Sequence, residues 1–267
     1  MPRAITAFSN PLIKRVRLLR DKKHRRREGR FLAEGLRILT EAEEAGVLPE
    51  HIFYCGEAGA QARIARLIEA TEAAGGEAIE TTPAILAKLS GKDNPQTVIG
   101  VYRERGAEGE AIERESAPIW IVAQALRDPG NLGTMLRTGD AVGAGGLILV
   151  DDCVDPWSVE AVRASMGALF TQKIAHMRWD AFIAWLRAGP GQLVGTSLNA
   201  NLDYQTARYE TPTFLLIGNE AKGLPAEYEK ECDLLVKIPM LGKADSLNAA
   251  VAAAVMAYEV LNQRRAQ

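Results

Sequence analysis

Leu234-Leu-Val-Lys-Ile238-Pro-Met-Leu-Gly-Lys-Ala-Asp-Ser-Leu-Asn248 begins as an apolar run, stops at Pro239, passes through a loop holding Gly242 and reaches Asp245-Ser246-Leu247-Asn248. An Ala-rich apolar segment follows, Ala249 to Leu261, with no charged residue before Glu259. Proline closes a strand because it has no N–H for the ladder, and Asp, Ser or Asn opens a helix by accepting its free N–H groups. The pattern therefore predicts a strand, a tight loop and a long helix from about Leu247, with Ser246 and Asn248 at the helix entrance. A capped helix in an ordinary α/β core accounts for this stretch alone as well as a functional site does.

The same alternation runs back through the chain. Apolar runs predict strands at Ile119–Ala123, Gly146–Val150, Gln172–Ala175, Gln192–Thr196, Thr213–Ile217 and Leu234–Ile238. Helical spacing falls between them, at Leu132–Val142, Val159–Met166, Ala181–Arg187, Ala226–Glu229 and Leu247–Arg264. Parallel strands need such crossovers, so residues 119–267 should form a doubly wound parallel α/β sheet. Gly106 to Pro118 is poor in apolar residues and lacks a period, as a linker would be. Ahead of it, residues 1–105 predict a smaller α/β sandwich. Its helices fall at Asn10–Arg20, Glu34–Ala45, Gln61–Ala74 and Pro83–Leu89, and its strands at His51–Cys55, Ala78–Thr81 and Thr97–Tyr102.

Charge is divided unevenly. Residues 1–30 carry eleven Lys and Arg against Asp21 and Glu28, a balance of +9. The remainder carries 21 basic and 32 acidic residues, a balance of −11. A basic head on an acidic body is the footprint of a polyanion partner, although a charge run is more often a solvated helix face. Here the run leads straight into Phe31-Leu32-Ala33-Glu34-Gly35, which ties it to folded structure and favours nucleic acid. Lys14, Arg15, Arg25, Arg26 and Arg27 are its candidate contacts.

Other classes are disfavoured. No apolar run is long enough to span a membrane, and Met1-Pro2-Arg3-Ala4 does not begin a secretory signal. Cys55, Cys153 and Cys232 are scattered, which fits a reducing cytoplasm. His51 and Cys55 stand four apart with no further ligands nearby, so no metal site is expected. A nicotinamide site needs glycines that bring a helix N-terminus onto a pyrophosphate; Gly189-Pro190-Gly191 with Gly195 comes nearest, one residue too long.

Two further stretches complete the picture. One is Asp128-Pro-Gly-Asn-Leu-Gly-Thr-Met-Leu-Arg-Thr-Gly-Asp140, and the other is Leu215-Leu-Ile-Gly-Asn-Glu-Ala-Lys-Gly-Leu224. With Ile238–Asn248 and the segment Arg163-Ala-Ser-Met-Gly-Ala168, they resemble in order and spacing the signature motifs of the SpoU (TrmH-type) RNA 2′-O-ribose methyltransferases. That family is a branch of the SPOUT superfamily. The resemblance covers roughly the last three-fifths of the chain; the N-terminal part looks less specifically like the family's ribosomal-protein-like RNA substrate-binding domain.

The resemblance implies a deep trefoil knot in the C-terminal domain, formed by the loops around Gly218–Gly223 and Met240–Ser246. It implies S-adenosyl-L-methionine as cofactor, with Gly218, Ile238 and Leu247 binding it, and a homodimer. It places Asn131, Arg137, Glu220, Ser246 and Asn248 at the catalytic centre, with Arg163 on the RNA side and Ser165 and Gly167 lining substrate or the subunit contact. Arg137 is commonly cast in the family as the group that activates the hydroxyl. A guanidinium is very hard to deprotonate, so forking onto the adjacent phosphate and stabilising the alkoxide suits it better. Glu220 would orient Arg137 or a polar neighbour. Ribosomal RNA is favoured as substrate and transfer RNA is possible, in the cytoplasm, with neither metal nor membrane. The competing readings are a non-catalytic RNA-binding protein on the same fold and an RNA base-nitrogen methyltransferase.

Overall fold

The structure is a computed structural model and describes residues 3–108 and 112–266. The chain divides into two compact units, Met1–Glu104 with Asp155–Phe170, and Arg105–Val154 with Thr171–Gln267.

The first unit is built on a mixed five-stranded sheet. Its strands are β1 (Arg3–Ala4), β2 (Arg30–Glu34), β3 (His51–Cys55), β4 (Glu77–Thr81) and β5 (Val98–Arg103), in the order β1-β4-β3-β5-β2. The strands β1, β4 and β3 run parallel, while β5 is antiparallel to β3 and β2. Helices α1 (Pro11–Leu18) and α6 (Pro83–Ser90) bury Ile13, Val16, Leu19, Ile85, Leu86 and Leu89 in one core with Phe53, Ile79 and Ile99. The short α2 (Lys22–Glu28) has no apolar residue at all; Asp21 caps its start and Gly29, at φ +61°, closes it. Helices α3 (Leu36–Glu44), α4 (Gly56–Gly59) and α5 (Ala62–Ala73) complete the unit's N-terminal part.

Arg25, expected to reach nucleic acid, is instead the one buried residue of α2. Its guanidinium donates to the carbonyls of Leu19 and Arg20, both at 2.8 Å, and to Asp155 Oδ2 at 3.1 and 2.6 Å. A helix without apolar side chains docks through the one cation each of whose three nitrogens finds an acceptor inside. Of the other ten basic residues in the head, Arg3, Arg15, Arg27 and Arg30 pair with Glu77, Glu28, Glu28 and Glu50. Lys14, Arg17, Arg20, Lys22, Lys23 and Arg26 are exposed and form no ion pair among the described residues.

Asp155–Phe170 also departs from expectation, since the sequence places it in the C-terminal domain. Trp157 packs 4.8 Å from Phe31, and Phe170 lies 4.9 Å from Tyr102, centroid to centroid. Helix α8 (Val159–Ser165) lies along β2. Ser165 is fully buried with its hydroxyl donating to Val162 O, and Gly167, at φ +103°, passes so close that a Cβ would stand 2.4 Å from Glu41 Cβ. Ser165 and Gly167 thus pack this segment within the first unit, where the resemblance implied lining substrate or the subunit contact. Arg163 of α8 remains exposed.

The second unit carries an eight-stranded, wholly parallel sheet in the order β11-β13-β10-β12-β7-β8-β9-β6. The strands are β6 (Gly106–Glu108), β7 (Ile119–Gln124), β8 (Gly146–Val150), β9 (Lys173–Met177), β10 (Gln192–Thr196), β11 (Leu202–Asp203), β12 (Thr213–Ile217) and β13 (Leu234–Lys237). Helices α7 (Pro129–Val142), α9 (Trp179–Arg187), α10 (Ala226–Glu229) and α11 (Ala249–Arg265) connect or flank them. The central strands β7, β8 and β12 are buried at every position, as a sheet covered on both faces requires.

The expected linker at 106–118 is not free chain. Residues 106–108 add β6 to the sheet edge, Ile112 and Ala117 enter the core, and 109–111 lie outside the described residues. Gly189–Gly191 sits between α9 and β10, ahead of a strand and not after one, so it is no dinucleotide fingerprint. Among the described residues no helix is long and apolar enough to cross a membrane, and no group of His, Cys, Asp or Glu is arranged to hold a metal.

Candidate active site

Three chain segments of the second unit converge at the C-terminal ends of β7, β12 and β13, where open α/β sheets place their ligands. Each is shaped by a local capping rule. After β7, Asp128 caps α7 by accepting from the N–H groups of Gly130 and Asn131, with Pro129 at the first helical position. After β13, the cap of α11 is Asn248 and not Ser246: its Oδ1 accepts from Ala250 N at 2.9 Å and Val251 N at 3.3 Å. The helix therefore starts two residues later than the sequence predicts.

That cap has a consequence for chemistry. With Oδ1 committed to the helix, the Asn248 amide must turn its Nδ2 outward, and it donates to Asn131 Oδ1 at 2.8 Å. Asn131 in turn donates through Nδ2 to Glu220 Oε1 at 3.1 Å. A carboxylate only accepts, so the order Asn248 to Asn131 to Glu220 allows a single orientation of each amide. Asn131 is buried, and α7 and α11 pack on one another.

Glu220 also accepts from the backbone N–H groups of Asp128 at 3.2 Å and Arg127 at 3.4 Å. Burial raises its carboxyl, but donors from its own backbone, Asn131, Asp128 and Arg127 outweigh burial and hold it below the ordinary carboxylate value. It is thus ionised at neutral pH, engaged on both oxygens and a poor base. Glu220 orients Asn131, the polar neighbour, and not Arg137.

Arg137 lies six residues beyond Asn131 on α7, about 9 Å along the axis and roughly 120° around it. Its side chain is exposed and makes no hydrogen bond or ion pair among the described residues. The structure therefore joins Asn131, Glu220 and Asn248 and leaves Arg137 as a free guanidinium. Ser246 is exposed, and it lines a neighbouring cavity.

That cavity, of about 410 Å³, lies between the loops after β10, β12 and β13. Gly218, Ile238 and Leu247, the three expected cofactor residues, all line it, together with Ser197, Asn199 and Met240. Its volume is in the range of small-molecule sites, and its aliphatic walls with a few polar groups suit an adenosine-like ligand. Gly218 marks the closest approach: a Cβ there would stand 2.5 Å from Gly223 C and 2.6 Å from Leu224 N, both backbone. Gly218→Ala is expected to push the 218–224 turn out of place and weaken S-adenosylmethionine binding at least tenfold by calorimetry. Wild-type affinity in that variant would mean the turn does not shape the cavity.

Asn219 is a residue whose role the sequence reading passed over. Its Oδ1 accepts from Ala221 N at 3.0 Å and Lys222 N at 3.2 Å, and its Nδ2 donates to Ala125 O at 2.8 Å. It folds the turn that presents Glu220 and ties it to the end of β7. The cue was there in Gly-Asn-Glu-Ala-Lys-Gly, because Asn accepts from backbone N–H groups two and three residues on. No thiol is poised to act: burial pushes Cys153 up to about 11 and Cys232 up to about 12, and raises Cys55.

The SpoU rRNA Methylase family matches residues 118–258, and an MRM3-like substrate binding domain matches residues 10–100. The 23S rRNA (uridine(2479)-2′-O)-methyltransferase of Streptomyces viridochromogenes is 32% identical over 92% of this chain and 88% of its own length. The 23S rRNA (guanosine(2553)-2′-O)-methyltransferase RlmP of Bacillus subtilis is 28% identical over 96% of this chain and 98% of its own. Among solved structures, the AdoMet-bound rRNA methyltransferase from Sinorhizobium meliloti superposes with a TM-score of 0.90 at 37% identity, covering 98% of both chains. The matched range, 118–258, contains the segments that meet at the ends of β7, β12 and β13, and this chain belongs to the SpoU rRNA methylase family.

Proposed function

We propose that this chain methylates a ribose 2′-hydroxyl in ribosomal RNA, using S-adenosylmethionine held by Gly218, Ile238 and Leu247. The observation that carries the reading is the Asn248–Asn131–Glu220 network beside a cavity lined by those three residues. When bound, S-adenosylmethionine supplies an electrophilic methyl on sulfur. The chain supplies the rest. Asn131, held at both ends of its amide, is a rigid polar contact for the acceptor ribose. Arg137 is free to fork onto the phosphate next to the hydroxyl and stabilise the negative charge that builds on the 2′-oxygen as its proton passes to solvent and the oxygen takes the methyl from sulfur. Ser246 contributes a hydroxyl from the cavity rim. The loops at 218–223 and 240–246 are read as the trefoil knot of the fold.

Ribosomal RNA is favoured over transfer RNA by the substrate-binding domain at 10–100 and by relatives named for 23S rRNA. Residues 1–105 would supply RNA affinity, and the second unit the chemistry. A base-carbon acceptor is disfavoured, because such chemistry usually recruits a Cys nucleophile and every thiol here is pushed up by its surroundings. Ribose and base nitrogen are separated by a substrate RNA with one 2′-deoxy nucleotide at the modified position. Transfer should cease. Transfer at the normal rate would place the methyl on the base. A protein that binds RNA and cofactor but transfers nothing would be the non-catalytic binder.

The homodimer is read from α11, which leaves Val251 and Tyr258, seven residues apart on one face, about half exposed. An exposed apolar pair on one helix face suits a two-fold contact. Tyr258→Glu is expected to shift the sedimentation coefficient to that of a monomer; a wild-type chain that already sediments as a monomer would remove the proposal. A cytoplasmic location is read from the proposed rRNA substrate.

A further inference from the structure

We infer that the groove between α1 and α6 in the first unit is the dock for an unpaired segment of the RNA, with Phe8 as a stacking platform for one base. The inference rests on the reading that the substrate is RNA and names the surface and the form of RNA it takes.

The two helices lie side by side on one face of the first sheet, their apolar sides buried. One hollow of about 360 Å³ lies between them, and a second of about 390 Å³ adjoins it along α6 beside Phe8, the two sharing Ala87, Lys88 and Gly91. Arg17 and Arg20 line the first, and Phe8 and Lys92 the second. Arg17, Arg20 and Lys88 have no side-chain hydrogen bond or ion pair among the described residues, whereas Lys92 is held by Glu34 at 2.6 Å. Two carboxylates are also present, Asp21, which caps α2, and Asp93. Three unpaired cations against two carboxylates leave the channel with a small positive balance, which favours a polyanion.

Arg20 lies over Gly91 at the end of α6. Gly91 has φ +74°, and a Cβ on it would stand 1.9 Å from Arg20 Cζ. The guanidinium lies in space that any side chain at 91 would fill. It sits at the C-terminal end of the helix, where a cation is favoured.

Phe8 selects among polyanions. It is 52% exposed at the groove's edge, beside cations, where an apolar ring gains nothing from phosphate. A ring in that setting gains from a flat base. Bases inside a duplex are already stacked, so only an unpaired nucleotide offers its face.

The test uses the full chain with a fluorescent oligouridine and a short RNA duplex as probes, titrated across a salt series, with calorimetry on S-adenosylmethionine as the check that each variant is folded. Phe8→Ala is expected to weaken oligouridine binding about tenfold, as loss of one stack does, with the salt slope and duplex binding unchanged. Lys88→Ala should lower the magnitude of the log–log salt slope by roughly 0.7 for the single strand. If both variants bind oligouridine like the wild type, or Phe8→Ala weakens duplex and single strand alike, the groove is not the dock. A wild-type chain that takes up cofactor yet binds neither RNA overturns the RNA reading itself, and the groove with it.

Discussion

Arg137→Ala is expected to lower single-turnover methyl transfer by about a hundredfold or more while cofactor binding and the melting temperature stay where they are. The size follows from the role. Removing one positioned group that meets developing charge costs roughly 3 kcal/mol in the transition state. The specificity follows from the structure: Arg137 is exposed and bonded to nothing among the described residues, so its loss opens no cavity and orphans no partner. Arg137→Lys keeps the charge but not the planar fork and should recover only part of the rate. Asn131→Ala is a poorer probe of mechanism. It strips a partner from both Asn248 Nδ2 and Glu220 Oε1, so a stability loss of about 1–3 kcal/mol would accompany any loss of rate. Full activity in Arg137→Ala would remove it from the mechanism and leave the Asn131 network to act alone.

The second unit was largely legible because its strands are continuous apolar runs bounded by Pro, Gly and Asp, and its crossovers carry their own caps. Gly146–Val150, Gln192–Thr196 and Thr213–Ile217 fall where the runs begin and end. Where two capping residues compete, as at Ser246 and Asn248, composition cannot say which one the helix uses, and the answer set the amide network. The failures in the first unit have a common cause. Helix α2 has no apolar period to read, although Asp21 and Gly29 bracket it as caps do. Strand β2 has only Phe31, Leu32 and Ala33 between charged ends, which reads as a lead-in to the next helix. The placement of Asp155–Phe170 depends on partners distant in the sequence, Arg25, Phe31 and Tyr102 among them, which no local pattern encodes. The motif resemblance supplied the candidate residues. Which of them touch was not legible, because that depends on how a cap turns one amide.

The buried pair Arg25–Asp155 should give the largest stability effect in the chain. Its side chains are only 4% and 11% exposed, and the guanidinium spends its donors on Asp155 and on the carbonyls of Leu19 and Arg20. Arg25→Ala would leave a carboxylate and two carbonyls short of partners in a site with little water, a cost of about 3–5 kcal/mol. For a chain of this size that lowers the melting temperature by roughly 10 °C. The double variant Arg25→Met with Asp155→Leu removes both charges and keeps the volume, so it should melt above either single variant, because the cost lies in the orphaned partner and not in the pair. The same experiment separates two roles for the basic head. A residue that meets phosphate lowers the salt dependence of RNA binding when removed, as Arg26→Ala should. Arg25→Ala, measured well below its melting temperature, should leave that slope unchanged. Deleting residues 1–105 is the wrong instrument here, since it would also strip the cover from Trp157 and Phe170. A melting temperature within a degree or two of wild type for Arg25→Ala, together with a reduced salt slope, would return Arg25 to the RNA surface and undo this account of how α2 is held.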